Sequence, residues 1–501
     1  MSTHTTRSAA SVALSLPVLL LACSNQGETG SAAVQPTYTA DAKAILDAKC
    51  ATCHQADDIG PFPLTTHQEV KAFEAAVRSS IENDTMPPWM PSDECADYAG
   101  NIDLTADERS TLLAWLDAGA PEGDPADAPA DGSPSSGGDW AADLTLQLPE
   151  PYTPRVEPDD QRCQLIEWPY DEPVYVTGLR VQPDQRPIVH HTIAFLVGPD
   201  QVAQFQAWDE EEEGPGYTCY GGPTASTSGG LLENIDLAEV MAALAAVGLT
   251  LAELQAGEAT PEQLRALFGQ LGMDGSFGFP LLGSWVPGTA SLPLPEGTGI
   301  LVEPGSMIVA QMHYNTLSSD PVADQSTIEL AIAESVERRA TTLMTVDLGW
   351  VSNGLLGPAM DIPAGEAEVS HGTTIEYDSV FVRMALSTLG LEYGEPLVIH
   401  NANHHMHELG TSQISTVRHA DGTESCLLDI PDWDFNWQGA YQLIEPVTLR
   451  PGDSLDMACT WDNSAANQSV VDGEVLEPAD VAWGSGTSDE MCLGGFYVTG
   501  E

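Results

Sequence analysis

The sequence predicts a multidomain chain: a small all-α domain, then two all-β, jelly-roll-like sandwiches, the first interrupted by a helical insertion. Three observations predict it. Within residues 37–119, the stretches Ala40–Lys49, His67–Asn83 and Thr105–Ala118 carry apolar residues at helical spacing. From Trp140 onward, short β-branched or alternating runs take over, with Pro-Gly and Gly-Asp turns between them. Leu231–Leu271 breaks that pattern with an Ala- and Leu-rich stretch that reads as two or three helices.

The elements follow in order. Residues 1–22 read as a cleaved leader: Arg7 gives a weakly positive start, and the apolar run Ala13–Ala22 is too short to span a bilayer. The run ends in Leu20-Leu21-Ala22-Cys23, which resembles a bacterial lipobox and implies a lipid anchor on Cys23. Residues 23–36, small and polar, suit a tether. The expected location is therefore exported and lipid-anchored, on the periplasmic face or cell surface of a bacterium, with the lipid as the only membrane contact. In the α domain, Thr105 with Asp107 and Glu108 behind it marks a helix start. Residues 120–145 read as a linker, because their first part is rich in Pro, Gly, Ala, Asp and Ser. The first sandwich is expected over 146–325, with the insertion at 231–271, and the second over 326–501. Val174–Val176, Ile188–Val197, Met307–Tyr314, Val380–Met384, Leu397–His400 and Ala440–Leu449 are strand candidates, and Pro304-Gly305 and Pro451-Gly452-Asp453 are turns.

Charge sets the excluded partners. With 16 basic residues against 75 acidic ones and a formal net charge of -59, the surface repels nucleic acid and anionic membranes. Of nine cysteines, Cys23 is assigned to lipid and Cys50 and Cys53 to the motif described next. The other six, an even number in an oxidising compartment, are expected to form disulfides.

Cys50-Ala51-Thr52-Cys53-His54 is a CxxCH sequence. Two thiols at this spacing can bond a haem's vinyl groups while the adjacent His54 ligates the iron. A thioether from Thr85-Met86-Pro87-Pro88-Trp89-Met90-Pro91 would complete the axial pair. The Met-Pro-Pro run resembles the methionine loop of small cytochromes c, which favours Met86 over Met90. The resemblance covers residues 37–119 and implies a cytochrome c-like domain holding haem c.

Five further segments carry soft or imidazole ligands or landmark sequence. They are Val189-His190-His191-Thr192, Leu282–Gly288, Gln311-Met312-His313-Tyr314-Asn315, His405-Met406-His407-Glu408-Leu409-Gly410 and Asp489-Glu490-Met491-Cys492. In this order they resemble the copper type II, ascorbate-dependent monooxygenases, over about residues 150–501. The resemblance implies that His190, His191 and His313 bind one copper, which stores and delivers an electron. It implies that His405, His407 and Met491 bind a second, catalytic copper. Alternate residues on a strand face one side, so His405 and His407 can share a metal, while His404 points away. A thioether beside imidazoles selects Cu(I) and has little use for zinc. Gln311 matches the family's Gln-x-His pattern and is expected to help order water between the sites. His371, His400 and His419 are read as structural or surface residues.

The same resemblance implies a disulfide between Cys459 and Cys492, and Cys163 is expected to pair with Cys219. Cys95 and Cys426 are left either free or paired as a clamp between the α domain and the second sandwich. Peptide-hydroxylating members carry an arginine where this chain has Asn403, and an Asn and a Tyr near Leu493, Gly494 and Gly495. Neither peptide amidation nor a catecholamine substrate is therefore implied. The expected function is hydroxylation of an sp3 C–H bond of a small organic substrate with O2, the fused haem relaying electrons to copper. Ascorbate or a redox donor protein would supply them. The alternative is a haem and copper electron-transfer or copper-binding lipoprotein without hydroxylase activity, or one in which both groups merely stabilise the fold.

Overall fold

The computed structural model describes residues 35–56, 58–128, 140–219, 222–225, 237–255, 259–260, 263, 266–267, 279–287, 293–316, 319–354, 356–435, 437–471, 474–484 and 488–501. The leader, Cys23, nearly all of the tether, much of the linker and part of the insertion lie outside them. Among the described residues, no helix is long and apolar enough to cross a membrane.

The first unit is helical, as the spacing predicts. A π-helical turn, Tyr38–Ala42, runs into α1 (Lys43–Lys49). The stretch expected as one helix over His67–Asn83 is two, α2 (His67–Ala72) and α3 (Glu74–Glu82), broken at Phe73. The ring of Phe73 stacks on Phe62 at 3.9 Å. In α4 (Ala106–Asp117), the Thr105 hydroxyl accepts from Glu108 N while Glu108 accepts from Thr105 N, a reciprocal cap that satisfies two orphan donors. Leu46, Val70, Ile81, Leu112, Trp115 and Leu116 meet in a small separate core.

Nineteen strands follow among the described residues. The first nine are β1 (Leu144–Gln147), β2 (Asp159–Glu167), β3 (Val174–Gln182), β4 (Val189–Val197), β5 (Tyr217–Thr218), β6 (Leu281–Trp285), β7 (Thr298–Val302), β8 (Met307–Asn315) and β9 (Thr327–Ala333). Then come β10 (Arg338–Thr345), β11 (Val369–Glu376), β12 (Leu397–His405), β13 (Gly410–Arg418), β14 (Glu424–Ile430), β15 (Ala440–Leu449) and β16 (Ser454–Trp461). The short hairpin β17 (Val470–Val471) and β18 (Glu474–Val475) precedes β19 (Leu493–Gly500). Helices α5 (Val202–Glu211), α6 (Leu237–Ala246), α7 (Leu251–Gln255), α8 (Leu348–Val351) and α9 (Val380–Leu389) lie between strands. Val380–Met384, expected as a strand, opens α9 instead: the Ser379 hydroxyl caps it, and Phe381, Val382, Ala385, Leu386 and Leu389 bury one helical face.

The two sandwiches are not independent layers. One eight-stranded sheet, β1-β9-β3-β7-β10-β19-β12-β15, runs through both, joined where β10 pairs in parallel with β7. A five-stranded sheet, β5-β2-β8-β4-β6, covers its first half, and a four-stranded sheet, β11-β16-β13-β14, covers its second. β9 lies beyond residue 325 yet pairs with β1 and β3, so the structure groups it with the first half. Each sandwich buries its own core between layers, as amphipathic sheets must. The described part of the insertion packs Val240, Leu244 and Leu249 against Val380 and Met384 of α9, so it bridges the two halves.

Three disulfides staple this frame: Cys163–Cys219, Cys459–Cys492 and Cys95–Cys426. The last resolves the open alternative for Cys95 and Cys426. It fixes a strap, residues 89–99, along β14 and β15: Tyr98 forms an antiparallel bridge with Leu443, and its hydroxyl donates to Leu427 O at 3.0 Å. Trp89, Tyr98 and Tyr441 pack edge to face there.

Candidate metal centres

The first centre begins with a backbone irregularity. Val189 and His191 of β4 pair with Tyr314 and His313 of β8, leaving His190 as the extra residue of a bulge. On a regular strand His190 and His191 would face opposite sides. The bulge re-aims one of them, and both rings meet His313, at centroid distances of 4.8 and 4.7 Å. The Nδ1 atom of His191 lies 3.4 Å from that of His190 and 3.3 Å from that of His313. Three nitrogens held tetrahedrally about 2.0–2.1 Å from one metal would lie about 3.4 Å apart, so the donor set fits an ion.

The protonation pattern agrees. His313 Nε2 donates to Asp159 Oδ1 at 2.9 Å, which leaves its Nδ1 lone pair facing the cluster. Burial, then the neighbouring His313 charge, lowers the His190 pKa to about 4, and the same causes hold His191 well below its ordinary value. Neutral imidazole is the form that ligates.

The second centre sits where β12 ends. His405 is its last residue, and His407 lies just past the strand. The two rings meet edge to face at 5.1 Å. His405 Nδ1 donates to Gln438 Oε1, and His407 Nδ1 donates to Asp489 O at 2.9 Å. Both hydrogen bonds put the lone pair on Nε2. His405 Nε2 is buried and has no hydrogen-bond partner, an orphaned acceptor that a metal would satisfy. Burial, then the His407 charge, lowers the His405 pKa to about 3. His404 turns into the core, where its Nε2 lies 2.9 Å from Ser415 Oγ.

Met491 is buried beside Glu490, whose carboxylate gathers the centre's backbone. Glu490 accepts from His407 N at 2.9 Å, Leu409 N at 2.7 Å, Trp461 Nε1 at 2.8 Å and Met491 N at 3.3 Å. It thereby ties the histidine turn to the methionine segment. The Cys459–Cys492 disulfide braces that segment against β16.

The charge of His405 is among those that lower the His191 pKa, and Asp434 acts on His190 in the opposite sense. Asp434 belongs to the segment that also supplies Gln438 to His405 and places Phe435 against His407, at 6.2 Å. Its backbone N–H donates to Met90 Sδ at 3.4 Å, so the strap reaches the same segment.

In the helical unit, Cys50 and Cys53 are free thiols, so no disulfide closes the CxxC. His54 Nδ1 donates to Phe62 O at 2.9 Å, leaving Nε2 as its ligating atom. Gly60 permits the close approach here: a Cβ on it would fall 2.7 Å from Cys53 O and 3.0 Å from the His54 ring. Met86 is exposed, while Met90 is engaged by the second sandwich. Two free thiols and an oriented imidazole in one loop are the donor types that covalent haem attachment takes.

Gln311 is buried, and its amide donates to Gly222 O at 3.3 Å beside the Cys163–Cys219 disulfide. His400 and His419 are hydrogen-bonded within the fold, to Thr499 and to Asp453 and Ser425. Asp159, Gln438 and Asp434 were not singled out by the sequence; a lone acid or amide gives no signal until the chain folds.

No curated protein matches this chain. Residues 352–499, which contain His405, His407, Met491 and the Cys459–Cys492 disulfide, match the family model described as copper type II ascorbate-dependent monooxygenase, C-terminal domain.

Proposed function

We propose that this chain is a copper-dependent monooxygenase that hydroxylates an sp3 C–H bond of a small organic substrate, with a haem c bound in the helical unit relaying electrons to copper. The observation that carries the reading is the pair of imidazole clusters, His190 and His191 against His313 and His405 against His407, the second inside the matched segment. His190, His191 and His313 hold one copper; His405, His407 and Met491 hold the other. Copper bound there supplies oxygen activation and one-electron chemistry that side chains lack.

The protein's part is positional. Asp159 fixes the His313 tautomer, Gln438 and the Asp489 carbonyl fix those of His405 and His407, and Glu490 holds the backbone between them. Cys50, Cys53 and His54 would hold the haem, and Met86 would supply its thioether, since Met90 accepts from Asp434 N at 3.4 Å. The exported, lipid-anchored location through Cys23 rests on the lipobox and accords with three disulfides.

At position 403 a peptide carboxylate would meet a neutral amide in place of an arginine. Asn403 pairs with Gly495 across β12 and β19, and a Cβ on Gly495 would overlap the Asn403 amide. The two departures from the peptide-hydroxylating pattern are thus one feature: a neutral amide seated over a glycine, two residues before His405.

The test is oxygen uptake by copper-loaded protein with an enediol reductant and candidate substrates. One O2 and two electrons should yield one hydroxylated product and one water. His405→Ala should abolish product. Oxygen uptake that never tracks product would leave an electron-transfer or copper-binding protein instead.

A further inference from the structure

Among the described residues, the helical unit meets the sandwiches through the strap, whose Met90 accepts from Asp434 N, and through an ion pair. Asp58, four residues after His54 and with a side chain 7% exposed, pairs with Arg186 at 2.9 Å. Arg186 lies in the turn that leads into β4, where Val189 N donates to Gln185 O at 3.1 Å, and His190 follows directly. The ion pair therefore joins the loop after the CxxCH motif to the turn that leads into the histidine pair. Arg186 is also close enough for its charge to act on Cys53.

We infer that the Asp58–Arg186 pair is a docking contact that presents the CxxCH edge of the helical unit to the His190–His191–His313 centre, making that centre the first acceptor of electrons. The inference rests on the haem-relay reading above. One electron crosses per event: ferrous iron becomes ferric, one cupric ion becomes cuprous, and no proton crosses the contact. An enediol reductant of the ascorbate class then returns the haem to the ferrous state. Arg186 is a positioning residue, since it touches neither metal's ligands.

The test uses the full chain carrying haem and copper, without oxygen or substrate. Ferrous haem is followed by its absorbance as cupric copper oxidises it, and the magnetic relaxation of Cu(II) by ferric haem is read by pulsed electron paramagnetic resonance. Arg186→Glu should slow haem oxidation about tenfold or more, the scale at which small misplacements act, and weaken the relaxation. Arg186→Lys should keep both near wild type. The exchanged pair, Asp58→Arg with Arg186→Asp, should recover much of what Arg186→Glu loses, which lost folding could not do. His313→Ala should abolish haem oxidation. If Arg186→Glu matches wild type in rate and relaxation while oxidation still requires copper, the docking assignment is overturned and the relay stands. If oxidation ignores copper in the wild-type chain, the relay reading falls with it.

Discussion

Asp159 shows how one unremarkable side chain can decide a metal site. Its carboxylate accepts the hydrogen bond of His313 Nε2–H and so leaves the Nδ1 lone pair to the cluster. Asn315 Nδ2 donates to the same oxygen at 2.9 Å and holds it there. Removing such a partner of a ligating imidazole costs on the order of 10–100-fold in metal affinity. Asp159→Ala should therefore weaken copper binding at the first centre by that factor and leave the second unchanged, as competition titration with a chelator would measure. Equal loss at both centres would mean that Asp159 acts on the fold instead. The ligands themselves were legible because each sits in a short motif; Asp159 was not, since it is remote in sequence and joins His313 only through the β2–β8 register.

At the scale of elements, β12 carries the most information. It has a bulge at His400, between Ile399 and Asn401, in its pairing with both β15 and β19. His400 is buried there with its ring nitrogen 2.9 Å from Thr499 Oγ on β19. Burial, then the nearby Arg338 charge, lowers its pKa to about 4 from an ordinary value of 6.5. A base held neutral in the fold contributes stability that is complete above pH 6.5 and is lost as pH falls through 4. The full shift corresponds to roughly 3 kcal/mol at most. His400→Asn should flatten that part of the decline in copper-free protein, read from urea unfolding at neutral and mildly acidic pH; an unchanged slope would assign the decline to other histidines.

Bulges also mark where sequence reasoning stopped. Alternation turns His404 away from His405 and puts His407 on the side of His405, but it cannot place His190 beside His191. That pairing depends on a bulge, and a bulge has no signature in residue type alone. The helices were legible because caps and apolar spacing are local; the kink at Phe73 was not, because it follows from stacking on Phe62.

At the scale of the whole molecule, the division into three units was readable from composition, while the joints between them were not. The shared sheet depends on β7 meeting β10, and the helical unit's position on single pairings such as Tyr98 with Leu443. The Cys95–Cys426 bond locks that position across 331 residues of chain. In the chain-entropy picture a closure of that length stabilises by at most about 6 kcal/mol. The larger consequence is geometric. Each sandwich has its own core, and the helical unit has another, so replacing both cysteines by serine should leave all three folded. What it should release is the strap, and with it one contact between the helical unit and the sandwiches. Hydrogen exchange at residues 92–99 should rise in the serine variant while exchange in α4 and β12 stays as it was. Protection that persists would show that the aromatic packing of Trp89, Tyr98 and Tyr441 holds the strap without the covalent bond.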